Sequence, residues 1–243
     1  MNINFLIVIV GIIFLVVLGI WLYPLIKILS IRLVFGKYSA RYISVYKMVT
    51  GKSPFAYCIK DDFLNHIAAF YQKINSIDSY DTKSAIGFAD TPFGTKFKMV
   101  LRKNGRPLCV NAHRLGFFDI KVLGYRETLF NSNTRKHFFF LNNRFFMGEY
   151  LFKESGPEKI AELARILHKK YLEGIQAKSD NFLIRGANQT YIRFEHSGFY
   201  LCVKYLDRSD GEIAGLLDQF WTSTVKKPVD NVSSFEEELS KKL

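Results

Sequence analysis

The sequence is poor in the residue patterns that announce chemistry. Three cysteines, Cys58, Cys109 and Cys202, are spread over 243 residues, an odd number with no two close in the chain. A disulfide framework needs an even, dense set, so this usage points to a reducing compartment and to small core residues. No C-x-x-C occurs, which removes zinc-ribbon and thioredoxin-like sites. G-x-S-x-G, H-E-x-x-H and G-x-G-x-x-G are absent too. "TGKS" at residues 50–53 has the end of a phosphate-binding loop, but Tyr46 stands where that loop needs its first glycine. The backbone cradle for phosphate therefore cannot form.

None of His66, His113, His137, His168 and His196 lies at metal-ligand spacing from another histidine. Asp61, Asp62 and His66 are the compact acid–histidine group, with Asp62 and His66 on one helical face; they read as a helix N-terminus beside an exposed histidine. "DRSDG" at residues 207–211 lacks the further carboxylates of a calcium loop and reads as a helix cap. These absences argue against an enzyme, a cofactor and a resident metal. A membrane-tethered enzyme with a dispersed site is the alternative they leave.

Charge is missing in two places that matter. Residues 5–26, "FLIVIVGIIFLVVLGIWLYPLI", carry none. As a helix these 22 residues span about 33 Å against a hydrocarbon core of about 30 Å. A cleaved signal peptide needs a basic start and a short apolar core, and "MNIN" followed by this run has neither. Acids are missing from residues 27–60, which hold seven bases, Lys27, Arg32, Lys37, Arg41, Lys47, Lys52 and Lys60. That asymmetry predicts a single-pass protein of the cell membrane or cell inner membrane, with its N-terminus outside and its C-terminal domain cytoplasmic. Trp21 and Tyr23, then Lys27, Arg32, Lys37 and Arg41, are the expected interface residues, and anionic lipid headgroups the expected partners of the bases.

The formal charge is +12. A second basic zone covers residues 90–150, with eleven Lys or Arg against four acids. Its stretch "TKFKMVLRKNGR" alternates, with Lys96, Lys98 and Arg102 on one side of a predicted strand and Phe97, Met99 and Leu101 on the other. Asn104-Gly105 would turn it into a hairpin.

Aromatic residues are plentiful, 23 Phe and 13 Tyr, and favour sheet. Residues 137–152, "HFFFLNNRFFMGEYLF", are too interrupted for a membrane span. Their consecutive aromatics must point to both faces, unlike a base-stacking surface, and no RNP signature occurs. A two-sided hairpin turning at Asn142-Asn143 fits best. An exposed face of that hairpin, with Phe139, Arg144 and Phe146 beside Lys96, Lys98 and Arg102, is the candidate docking surface. Nucleic acid is the lesser alternative partner.

Helices are predicted over residues 61–77, from Pro157 to near Gly174, and from a Ser209-x-x-Glu212 capping box to Trp221. Strands are predicted over 84–89, 95–103, 107–113, 117–124, 136–141, 144–152, 181–186, 190–196 and 199–206. "NGRPLCV" at 104–110 echoes "SGFYLCV" at 197–203, which suggests two helix–three-strand repeats with Met99 and Leu101 matching Ile192 and Phe194. The organisation read is an anchor (1–30), a basic juxtamembrane connector (31–54), an α+β domain built on antiparallel sheet with about three helices (55–225), and a polar tail (226–243). The expected role is binding: a cytoplasmic domain that docks a protein partner at the membrane. Membrane-assembly accessory factors and exclusion- or immunity-type factors share this build, a likeness of architecture alone.

Overall fold

The computed structural model describes residues 3–59, 66–67, 77–115, 118–153, 156–173, 181–196 and 200–225. The apolar run forms helix α1 (Ile3–Phe35), which passes through Pro24 without ending. From Gly11 onward it is long and apolar enough to cross a membrane. Its 33 residues make a rod of about 50 Å, longer than a hydrocarbon core by about 20 Å. Towards its C-terminal end Ile28 and Ile31 pack against the domain core. Trp21 and Tyr23 are exposed on the rod. Gly36, in the left-handed region at φ 81°, turns the chain. Helix α2 (Ala40–Thr50) follows, with the Ser39 side chain accepting from the Tyr42 amide as N-cap.

The domain is one open sheet of eight strands: β1 (Ser79–Thr82), β2 (Cys109–Leu115), β3 (Phe118–Leu129), β4 (Ser132–Leu141), β5 (Arg144–Lys153), β6 (Phe182–Gly186), β7 (Thr190–His196) and β8 (Tyr200–Asp207). Their order is β1-β6-β7-β8-β5-β4-β3-β2. Every pairing is antiparallel except β1 with β6 at one edge. The far edge, β2, carries a parallel bridge from Ala56 to Cys109. Short additions at both edges blunt strand templates that would otherwise invite other chains.

One face of the sheet is aromatic. Phe138, Phe140, Phe145, Phe152, Phe182, Phe194 and Tyr205 meet α2, α3 (Phe97–Asn104) and α4 (Pro157–Tyr171) there. Phe88 is its hub, in ring contact with Phe138, Phe145, Tyr150 and Tyr205. Phe88 lies on Gly148, where any Cβ would run into its ring. Helix α5 (Gly211–Val225) covers the opposite face through Ile213, Leu216 and Leu217.

The hairpin at Asn142-Asn143 forms as expected, with φ 46° and 66°. A bulge between Phe139 and Phe140 changes the alternation, so Phe145 faces the aromatic side while Phe146 and Met147 face α5. Both faces of the hairpin are thus covered. Phe139 and Phe146 are wholly buried, which removes them from any docking surface.

Other expectations need correction. Residues 97–104 are a helix, not a strand. Phe97, Val100 and Leu101 are its covered positions, spaced i, i+3, i+4, and Val100 is its one β-branched residue. Gly105, at φ 72°, ends that helix by donating its amide to Leu101 instead of turning a hairpin. The expected strand at 84–89 is a loop that delivers Phe88. The repeat fails: Met99 and Leu101 are helical where Ile192 and Phe194 are in a strand, and β2 is an edge strand beside β3 while β8 lies between β5 and β7. The cap of α5 is Asp210, whose carboxylate accepts from the Glu212 amide, and the helix runs on to Val225. The helix predicted over 61–77 lies mostly outside the described residues, and the tail lies wholly outside them.

Candidate functional site

Two features concentrate polar chemistry. The first is a row across the α5-covered face. In the strand registers Cys109 stands opposite Gly124, Gly124 opposite His137, His137 opposite Glu149, Glu149 opposite Lys204, and Lys204 opposite Arg193. One lateral line thus carries chemistry across six strands. His137, Glu149, Lys204 and Arg193 are all buried.

Glu149 is the centre of this row. His137 Nδ1 lies 2.8 Å from its Oε2, His66 Nε2 lies 2.9 Å from its Oε1, and the Cys202 thiol donates to Oε1 at 3.1 Å. Burial works against the carboxylate, but the hydrogen bonds from His137 and His66, with their charges, outweigh it and hold its pKa well below the ordinary range. Burial and the nearby Glu149 push the Cys202 thiol up, so it stays protonated. Lys204 Nζ sits 3.9 Å from both Glu149 and Glu195, and Arg193 pairs with Glu195 at 2.8 Å. Two carboxylates thus balance two permanent cations. His66 stacks on Phe139 with the rings nearly parallel.

At one end of the row Cys58 and Cys109 form a disulfide, 51 residues apart in sequence. The two are therefore not the separate core thiols that their spacing implied. Asn111, itself buried, arranges this: its Oδ1 accepts from the amides of Cys58 and Ile59, and its Nδ2 donates to the Ile59 carbonyl. Gly124 makes the room, because a Cβ there would overlap the Cys109 sulfur.

The second feature is a cleft of about 1110 Å³ where α1 meets the domain. Lys37 and Arg41 come to it from the segment after α1, Lys96 from the N-cap of α3 and Lys98 from its first turn, Arg114 from β2, Lys121 from β3 and Arg144 from β5. The two basic zones of the sequence are thereby one surface. Asp119 is the carboxylate in the lining and is bound to Lys121 at 2.6 Å. Lys121 also donates to Asn143 Oδ1 at 2.8 Å and lies over the Phe97 ring. Val34, Phe35, Tyr38, Phe97, Met99 and Leu101 supply an apolar wall. Arg41 covers the Phe35 ring at 4.5 Å. A smaller cleft of about 530 Å³ continues along Ile31, Phe35, Arg41 and Arg114.

Comparisons with protein-family models, curated proteins and solved structures find no match.

Of the docking residues expected from sequence, Lys96, Lys98 and Arg144 line the cleft, and Arg102 is exposed on α3 outside that lining. Of the interface residues, Lys37 and Arg41 reach the cleft. Lys27 lies over the Tyr23 ring on α1, and Arg32 is exposed in its last turn. Asp62 lies outside the described residues, and His66 is partner to a buried carboxylate, not a bare surface group. Sequence reading missed the row altogether. Its signal was present: "GEY" and "VKY" each place one charged residue inside a largely apolar strand. Neither cleft is lined by Glu149, His137 or Lys204. A slip of register by one residue would carry the charges of the row into the aromatic face.

Proposed function

We propose that the chain is a single-span, membrane-anchored binding protein whose domain lies on the cytoplasmic side. Its basic cleft takes an acidic segment of a protein partner at the membrane surface. The observation that carries this reading is the convergence of both basic zones on one open cleft at the end of α1. With Asp119 engaged by Lys121, the remaining cations face outward with no carboxylate in the lining to meet them, save Arg144, which also holds Asp210 at 2.9 Å. Such a surface raises association rates and selects acidic partners. The cleft, about 1110 Å³, is at the upper end of the roughly 300–1,000 Å³ of small-ligand pockets, and its mixed apolar and basic wall suits a chain segment. The orientation rests on the acid-free basic run after the span.

A second reading has its own support. Val34 and Phe35 of the membrane helix line the cleft, so phosphate-bearing headgroups are within its reach, worth about 1 kcal/mol per base. The test is isolation of the full chain from native membranes in mild detergent at rising salt. One stoichiometric protein that dissociates with salt, and is lost on K96E/K98E/R144E, supports the first reading. Co-isolated anionic lipid with no protein, lost on the same substitutions, supports the second. Isolation unaffected by salt and by charge reversal would remove the cleft from the function.

A further inference from the structure

Beyond the cleft, the end of the polar row has the makings of a metal site. We infer that Cys58, Cys109 and His137 form a site for a thiophilic divalent cation of the zinc class, and that the Cys58–Cys109 disulfide is its oxidised, metal-free form. The three side chains are buried, and their donor atoms lie within 4.8 Å of one another. Donor atoms on a four-coordinate zinc are about 3.5–4 Å apart, so small side-chain rotations after reduction suffice.

His137 gives the decisive detail. Its Nδ1 is held by Glu149 Oε2 at 2.8 Å, while its Nε2 is buried with no hydrogen-bond partner among the described residues. An orphaned imidazole nitrogen in a core is costly. A carboxylate on one ring nitrogen, orienting the other toward a cation, is how proteins fix a ligating histidine. Here the free nitrogen shares its surroundings with two sulfurs. Gly124 sits between them in the register, and a Cβ there would overlap the Cys109 sulfur, lie 2.8 Å from that of Cys58 and 3.0 Å from the His137 ring. The residue without a side chain is therefore where the three donors meet. Two thiolates also neutralise a divalent cation, so the buried site carries no net charge.

The interconversion balances with a dithiol as reductant. The dithiol gives two electrons and two protons to the Cys58–Cys109 bond and becomes a disulfide itself. The two thiols then release two protons to solvent as they bind the cation. On the cytoplasmic side, thiol reductants favour the metal form.

The experiment uses the full chain in detergent micelles, reduced with excess dithiol and freed of it without oxygen. Cobalt(II) is the probe. One equivalent should bind with thiolate-to-cobalt charge-transfer absorption, and zinc should displace it. The oxidised chain should show no such band. C58S and H137Q should weaken binding about ten-fold or more. Since either variant could disturb the fold, the unmodified chain gives a second readout. Zinc should slow alkylation of Cys58 and Cys109, measured peptide by peptide. A reduced chain without a thiolate–cobalt band, or alkylation of both cysteines unchanged by zinc, would overturn the site.

Discussion

Replacing Glu149 by leucine tests whether the polar row is one coupled unit. The substitution removes a carboxylate that meets His137, His66 and Cys202 within hydrogen-bond distance and lies 3.9 Å from Lys204. Lys204 and Arg193 then share one acid, Glu195. Removing one partner of a buried ion pair costs about 3–5 kcal/mol, because the other charge is left uncompensated. For a domain of this size that lowers Tm by on the order of 10 °C. Adding Lys204→Met removes the stranded charge. The double variant should therefore be more stable than the two single losses predict, by about 1–3 kcal/mol of coupling. Denaturant unfolding of the full chain in micelles, followed by near-UV circular dichroism, measures all four corners of the cycle. If the single losses add to within about 0.5 kcal/mol, the row is a set of independent contacts and the reasoning fails.

Three further outcomes are expected, two from the packing and one from the charge asymmetry around α1. Gly148→Ala drives a methyl into the Phe88 ring and should cost about 1–3 kcal/mol, read from the unfolding midpoint; a neutral result would show that Phe88 is not seated as described. Asn111→Ala strips three hydrogen bonds from the Cys58 segment and leaves its amides unpaired, a loss of about 2–4 kcal/mol. In that variant the Cys58–Cys109 disulfide should yield faster to a dithiol, and an unchanged reduction rate would contradict the role given to Asn111. A reporter enzyme active only outside the cytosol, fused after residue 243, should stay silent, and activity would reverse the orientation.

Local signals with a steric cause were legible in the sequence. Uncharged length marked an apolar helix long enough to cross a membrane, left-handed tolerance marked the Asn142-Asn143 turn, and Pro157 marked the start of α4. "FKMVLRKN" satisfies both a two-residue and a 3.6-residue period, and tertiary cover by the sheet decides for the helix. The cleft was half legible: its bases were visible as two zones, but their meeting depends on α1 docking through Ile28 and Ile31. The row and the cysteine pair were hidden because strand order, not sequence spacing, sets them side by side. The bulge at Phe139/Phe140 had no local signature, and it is what buries Phe146.

The central claim is that the cleft is a docking surface at the membrane. Met99 lines it and is exposed, while Leu108 is exposed outside its lining. A photo-crosslinker placed at Met99 in native membranes should yield one protein adduct, absent from Leu108 and lost on K96E/K98E/R144E. Equal adducts from both positions, or a Met99 adduct indifferent to charge reversal, would contradict it.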